Sequence, residues 1–226
     1  MKNLIYFVNK CSISFFAYFG SFAVVLPLSG LYLSMNNFNE REIGLILGIA
    51  ILSRILGPLT FPILSFKSKN VFHVVYFQCI LLLSSSLLGV FSSGKVLTTI
   101  ALSLTNIFWI SILPSLETLA LTVLKDNMEK YSKIRMWGSV GFILISVTLS
   151  EIMMKAGSNW FWYVLILMNL TLIFSLKSLN NFEVIRESSS KISSPLIEKK
   201  LILYFIVFFL FELSHAPYHG FFQFYW

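Results

Sequence analysis

Glu117 and Arg135 stand 18 positions apart, one inside an apolar stretch and the other at the edge of the next. Val96–Leu124 has Glu117 as its single charged residue, and the apolar stretch Met136–Met154 begins directly after Arg135. An ionisable group inside a hydrocarbon layer is costly unless it is paired or wetted, so such a residue marks a solute or proton path by default. The two groups have opposite sign and can neutralise each other. The planar guanidinium fork can also hold a carboxylate or hydroxyl of a solute, while a carboxylate can take up and release a proton. The competing reading is structural: an ion pair, with Arg135 as a cationic anchor at the membrane edge. Pro114, three residues before Glu117, frees a backbone carbonyl that a neighbour or water must satisfy.

Arg54 lies in the middle of the apolar stretch Ile43–Phe66. It has no acidic neighbour in sequence, so its partner comes from another helix or from a ligand. An anionic solute such as an aromatic carboxylate suits it; an ion pair with Glu117 is the alternative. Glu212, His215 and His219 fall around one helical turn, a spacing compatible with a metal site. Pro217 disturbs that turn and no further Cys or His converges on it in sequence. His215 and Tyr218 lining a polar cavity is the preferred reading, and packing inside a bundle the bland one.

The elements that must position these residues are membrane helices. The chain of 226 residues is 57% hydrophobic and 12% charged, with a mean hydropathy of +0.80. Soluble domains carry about 25% charged residues. Seven apolar segments are legible: Cys11–Met35, Ile43–Phe66, Val71–Phe91, Val96–Leu124, Met136–Met154, Asn159–Leu176 and Leu201–Trp226. A bilayer core takes roughly 20 helical residues to cross. No segment alternates apolar and polar residues strictly, which leaves helices as the spanning element. The expected fold is an all-α membrane protein: a six-helix bundle (1–176), a polar linker (177–200) and a seventh helix (201–226).

The net charge of +7 reflects topology rather than a nucleic-acid footprint. Thirteen of the 17 basic residues fall in segments on one side: Lys2, Lys10, Lys67, Lys69, Lys125, Lys130, Lys133, Arg135, Lys177, Arg186, Lys191, Lys199 and Lys200. The other side has Arg41, Lys95 and Lys155. The positive-inside rule places the N-terminus and the linker in the cytoplasm. Cys11 and Cys79 fall in or beside spans, where packing is expected rather than a disulfide or a metal site. The first span is too long for a signal-peptide core and is expected to be retained. Gly44, Gly48, Gly138 and Gly141 are expected to allow close helix contact. Trp160, Trp162 and Tyr163 suit the interfacial belt.

Six spans, a long linker and a seventh span are the arrangement of a transporter built from two halves. On this reading the chain is a truncated or partial transporter, whose seventh helix opens a missing C-terminal half, encoded separately in one version. A complete seven-helix protein is the alternative.

The run Tyr131-Ser-Lys133-Ile-Arg135-Met-Trp137-Gly138-Ser-Val-Gly141-Phe142 resembles the start of the fifth helix in the major facilitator superfamily, in the branch of lactose permease-like and 3-phenylpropionate transporter-like symporters. Leu45-Ile-Leu-Gly48 followed by Ser53-Arg54-Ile-Leu-Gly57, and Ser214-His215-Ala216 with Tyr218 and Gly220-Phe221, fit the same branch. The 18-residue spacing of Glu117 and Arg135 is kept. The resemblance covers essentially the whole chain and the N-terminal half of the family's length. It implies solute contacts for Trp137 and Phe142. The loop between the second and third spans, Ser65–Asn70, lacks the acid and glycine of the family's usual loop motif, which puts a loop-to-helix charge relay in doubt.

The function implied is secondary, proton-coupled symport of a small organic solute, an aromatic acid or a sugar, in the inner membrane of a bacterium. The partners are the solute, the lipid bilayer and a C-terminal half; no nucleic acid, cofactor or metal is expected. The sequence has no Gly-x-x-x-x-Gly-Lys-Ser/Thr phosphate loop, which argues against a primary pump. A membrane-embedded enzyme is the runner-up, but Gly-x-Ser-x-Gly and His-Glu-x-x-His motifs are lacking. A non-transporting scaffold or assembly protein is the third reading.

Overall fold

The computed structural model describes residues 2–60, 70–124 and 127–179, and further on 202–204, 206–207, 209–211 and 214. The chain divides into two compact units, Met1–Ile185 and Arg186–Trp226. The second contains an apolar helix, Ile202–Phe211. His215 and Tyr218, the rest of the seventh apolar segment, most of the linker and residues 61–69 lie outside the described residues.

The first unit contains α1 (Lys2–Val25), α2 (Leu28–Met35), α3 (Glu40–Ser53), α4 (Val71–Val90), α5 (Gly94–Val123), α6 (Met128–Ala156) and α7 (Trp160–Lys177). A 3-10 turn, Arg54–Leu56, carries α3 onward to Thr60. Six of these elements are long and apolar enough to cross a membrane: Leu4–Val25, Glu40–Thr60, Val71–Val90, Gly94–Val123, Met128–Ala156 and Trp160–Lys177.

Local chemistry sets several boundaries. Pro27 follows α1 and separates it from α2, so the segment expected as one span from Cys11 to Met35 is a long helix plus a short one. Asn39 and Glu42 form a reciprocal capping box at the start of α3. Asn70 accepts a hydrogen bond from the Phe72 amide and starts α4. Gly157, at φ 104°, ends α6 in a conformation that glycine adopts without strain. The expected fifth span begins too late. Its first two turns, Met128–Arg135, carry Glu129, Lys130, Lys133 and Arg135, which favour a helix but depress hydropathy.

α1 packs along α6 and α7, α4 packs along α5 and α7, and α3 lies on α5. The main buried cluster joins Phe7, Cys11, Phe15 and Tyr18 of α1 to Val75, Cys79 and Leu82 of α4, Leu116 of α5 and Leu172 and Leu176 of α7. Both cysteines are free and buried. Lipid tails are as apolar as leucine, so interhelical polar contacts and close packing carry the association. Ser14 Oγ meets Ser175 Oγ at 2.7 Å, and Asn169 donates to Ser86 Oγ at 3.1 Å.

The helix ends sort into two faces. The Tyr6 hydroxyl donates to the Ser178 carbonyl at 3.4 Å, which places the start of α1 beside the end of α7. At the opposite end Ser158 meets Asn36 at 3.3 Å, and Lys95 pairs with Glu42.

Of the four glycines expected at helix contacts, two sit there. A Cβ on Gly141 would lie 2.5 Å from the Phe16 carbonyl oxygen, and one on Gly138 would lie 2.6 Å from the Phe19 ring. A Cβ on Gly44 or Gly48 would meet nothing within 4 Å, because α3 turns that face away from its neighbours. Trp160 and Tyr163 are 40% and 46% exposed, while Trp162 is buried and wedged against Gly89. Trp162 is therefore a core residue rather than part of the belt.

Candidate functional site

α5 and α6 are antiparallel neighbours joined by a short turn. Glu117 lies near the end of one and Arg135 two turns into the other, so the hairpin brings them level. Arg135 Nη1 donates to Glu117 Oε1 at 2.7 Å. Tyr131, one turn before Arg135, donates to the same carboxylate oxygen at 3.2 Å, and Arg135 donates to the Tyr131 hydroxyl at 3.3 Å. The side chains are 27% and 47% exposed for Glu117 and Arg135, so the pair remains accessible. α5 runs unbroken through Pro114.

Arg54 opens the 3-10 turn after α3. Its Nε donates to Asn106 Oδ1 at 2.7 Å, and Asn106 is held by donating to the Leu102 carbonyl at 2.8 Å. The guanidinium carbon lies 5.6 Å from the Trp109 ring centroid, within cation–π range. Arg54 forms no ion pair with a described residue. The alternative pairing with Glu117 is not made; Glu117 is taken by Arg135.

A continuous aromatic strip connects the two charged groups. Trp109 stacks on Phe22 at 4.7 Å and on Tyr18 at 5.4 Å. Tyr18 meets Phe19 edge-on at 5.3 Å, and the Arg135 guanidinium carbon lies 6.0 Å from the Phe19 centroid. Phe142 joins at Phe22, with centroids 5.3 Å apart. The Tyr18 hydroxyl and the Trp109 indole N–H are buried without a hydrogen-bond partner among the described residues. Such groups are exceptions in native structures and call for a partner. The site thus offers two guanidinium groups, one carboxylate and two unmet polar groups around an apolar wall.

Trp137 is not part of this arrangement. It sits about 200° around α6 from Arg135, because residues two apart on a helix do not face each other. It is 47% exposed and borders a separate groove with Asn9, Ser12, Ile13 and Phe16 of α1. Tyr18, Asn106, Trp109 and Tyr131 were not among the expected site residues. Asn106 carried a usable signal, as a polar residue in an apolar span. Among the described residues no cluster of three His, Cys, Asp or Glu could hold a metal.

Six helices long and apolar enough to cross a membrane, with charged and aromatic side chains packed between them, define a multi-pass membrane protein. The chain belongs to the MFS_1 like family, which matches residues 8–226. It is similar to the "Probable 3-phenylpropionic acid transporter" of Escherichia coli (strain K12), at 29% identity over 164 residues, covering 71% of this chain and 41% of that protein. The crystal structure of the nucleoside transporter NupG shares the fold, with a TM-score of 0.76 and 13% identity over 96% of this chain and 56% of that one. A mutant of NupG gives a TM-score of 0.73, 14% identity and coverage of 95% and 57%. The chain thus spans about two fifths to three fifths of the length of these proteins.

Proposed function

We propose that this chain forms the N-terminal half of a proton-coupled symporter for a small aromatic carboxylate. The observation that carries this is Arg54: a guanidinium over Trp109, hydrogen-bonded to neutral Asn106 and without an ion-pair partner among the described residues. An unpaired cation within a span is unfavourable, and a solute carboxylate would supply the missing charge through two parallel hydrogen bonds. The solute ring would lie on the strip Trp109–Phe22–Phe19, where offset or edge-on aromatic contacts are favourable. Glu117 and Arg135 close the other end, and protonation of Glu117 would free Arg135. The similarity to a protein described as a phenylpropionic acid transporter supports this solute class. The inner face would be completed by a second set of helices, with access alternating as the halves rock. The membrane is the bacterial inner membrane, with the start of α1 in the cytoplasm.

Binding of labelled 3-phenylpropionate to the purified chain tests this reading. Saturable binding is expected, with at least about tenfold weaker binding of the neutral amide, as for loss of one charge-assisted interaction. Arg54→Gln should remove the discrimination. Uncoupler-sensitive uptake into vesicles is expected only when this chain is combined with a C-terminal half, and not from this chain alone. Equal binding of acid and amide would overturn the carboxylate assignment, and preferred binding of lactose would point to a sugar.

A further inference from the structure

We infer that the outer groove between α1, α6 and α7 is a binding site for an anionic phospholipid, with its phosphate held by Lys10 and Lys177 and an acyl chain laid against Ile13 and Trp137. A cavity of about 510 Å³ is bordered by Lys10 and Ile13 of α1 and by Thr171, Phe174, Lys177 and Ser178 at the end of α7. A second, of about 310 Å³, is bordered by Ile13, Phe16 and Trp137. Ile13 belongs to both, so the two cavities adjoin. One end is basic and hydroxyl-bearing, and the other is mostly apolar and aromatic with Asn9 and Ser12 at its edge, which is the polarity of a lipid.

The two lysines stand at one depth. Tyr6 and Ser14, four residues to either side of Lys10, hydrogen-bond to Ser178 and Ser175. Lys10 is therefore level with the last turn of α7, where Lys177 sits. Lys10 lies over the Tyr6 ring at 5.8 Å, and neither lysine forms an ion pair with a described residue. Lys10 is half-buried and Lys177 exposed, and an ammonium at the end of a membrane helix reaches outward for a counter-charge. At this end of the bundle a lipid phosphate offers such a counter-charge, and basic pockets between membrane helices bind anionic headgroups. The groove also explains why Trp137 is 47% exposed on the face of α6 away from the solute strip: an indole beside an acyl chain, near the interface, is in its preferred setting.

Native mass spectrometry of the purified chain with phosphatidylglycerol and phosphatidylcholine tests this. Retention of phosphatidylglycerol is expected to exceed that of phosphatidylcholine by about tenfold or more, for two lysines near a headgroup. Lys10→Gln with Lys177→Gln should abolish the preference. Lys130→Gln with Lys133→Gln removes the same charge from the same end and should leave it intact. Quenching of Trp137 fluorescence by brominated acyl chains, taken as the difference from Trp137→Phe, reads the site without a charge variant. Stronger quenching by brominated phosphatidylglycerol than by brominated phosphatidylcholine is expected. Equal quenching, or equal loss in the two lysine pairs, overturns the site. Displacement of the lipid by millimolar inorganic phosphate would reassign it as a simple anion site.

Discussion

Among the described glycines the closest approach to a neighbouring helix's backbone is at Gly141, and replacing it by alanine isolates how much the α1–α6 seam matters. The added Cβ would lie 2.5 Å from the Phe16 carbonyl oxygen, and the Phe16 Cα would be 3.1 Å away. These are backbone atoms, so no rotamer change relieves the overlap and the helices must separate. Overpacking of this kind costs about 1–3 kcal/mol. Alanine returns up to about 1 kcal/mol through helix propensity. The net loss lies between about 0 and 3 kcal/mol, or up to about 12 °C in Tm for a unit of this size. Gly44 is the internal control, since its Cβ would meet nothing within 4 Å; Gly44→Ala should be neutral or raise Tm slightly. Gly138→Ala should fall between, because the Phe19 ring can move but is held by Phe15, Tyr18 and Phe22. A thiol-reactive dye provides the assay, because Cys11 and Cys79 are both buried and react once the bundle opens. The seam also sets the spacing of Phe22 from Phe142 and of Phe19 from Arg135, so solute affinity should fall with Tm in Gly141→Ala. Equal Tm values for Gly141→Ala and Gly44→Ala would refute the packing described.

Glu117→Gln should change stability by less than about 1 kcal/mol, since the pair is partly exposed, yet lower solute affinity or its pH dependence; a large fall in Tm with unchanged affinity would make the pair structural. Asn106→Leu removes the acceptor of the Arg54 Nε hydrogen bond in a span and should destabilise by about 1–3 kcal/mol, with partial recovery of Tm when a carboxylate solute is added; no recovery would argue against a solute at Arg54. Cysteines placed at Asn37 and Glu129 lie at opposite ends of the bundle. Asn37→Cys should label from outside intact cells and Glu129→Cys only after permeabilisation, and the reverse pattern would invert the orientation.

The spans were legible in the sequence because crossing a bilayer demands roughly 20 apolar residues whatever the fold. The meeting of Glu117 and Arg135 was legible for a local reason: two helices joined by a short turn bring residues at similar distances from that turn to the same level. The start of α6 is not legible from hydropathy, because charged residues continue the helix beyond the apolar core. The sequence shows no acidic neighbour for Arg54, but its contacts, Asn106 at a separation of 52 residues and Trp109, depend on how α3 lies on α5. The facing of aromatic residues depended on tertiary structure as well. In a soluble helix, polarity marks the outer side. In a membrane helix the lipid side and the core side are both apolar, so periodicity does not distinguish Phe142, on the inner strip, from Trp137, on the outer groove. Packing decides that, through contacts such as Gly141 against Phe16 that fix the rotation of α6 about its own axis.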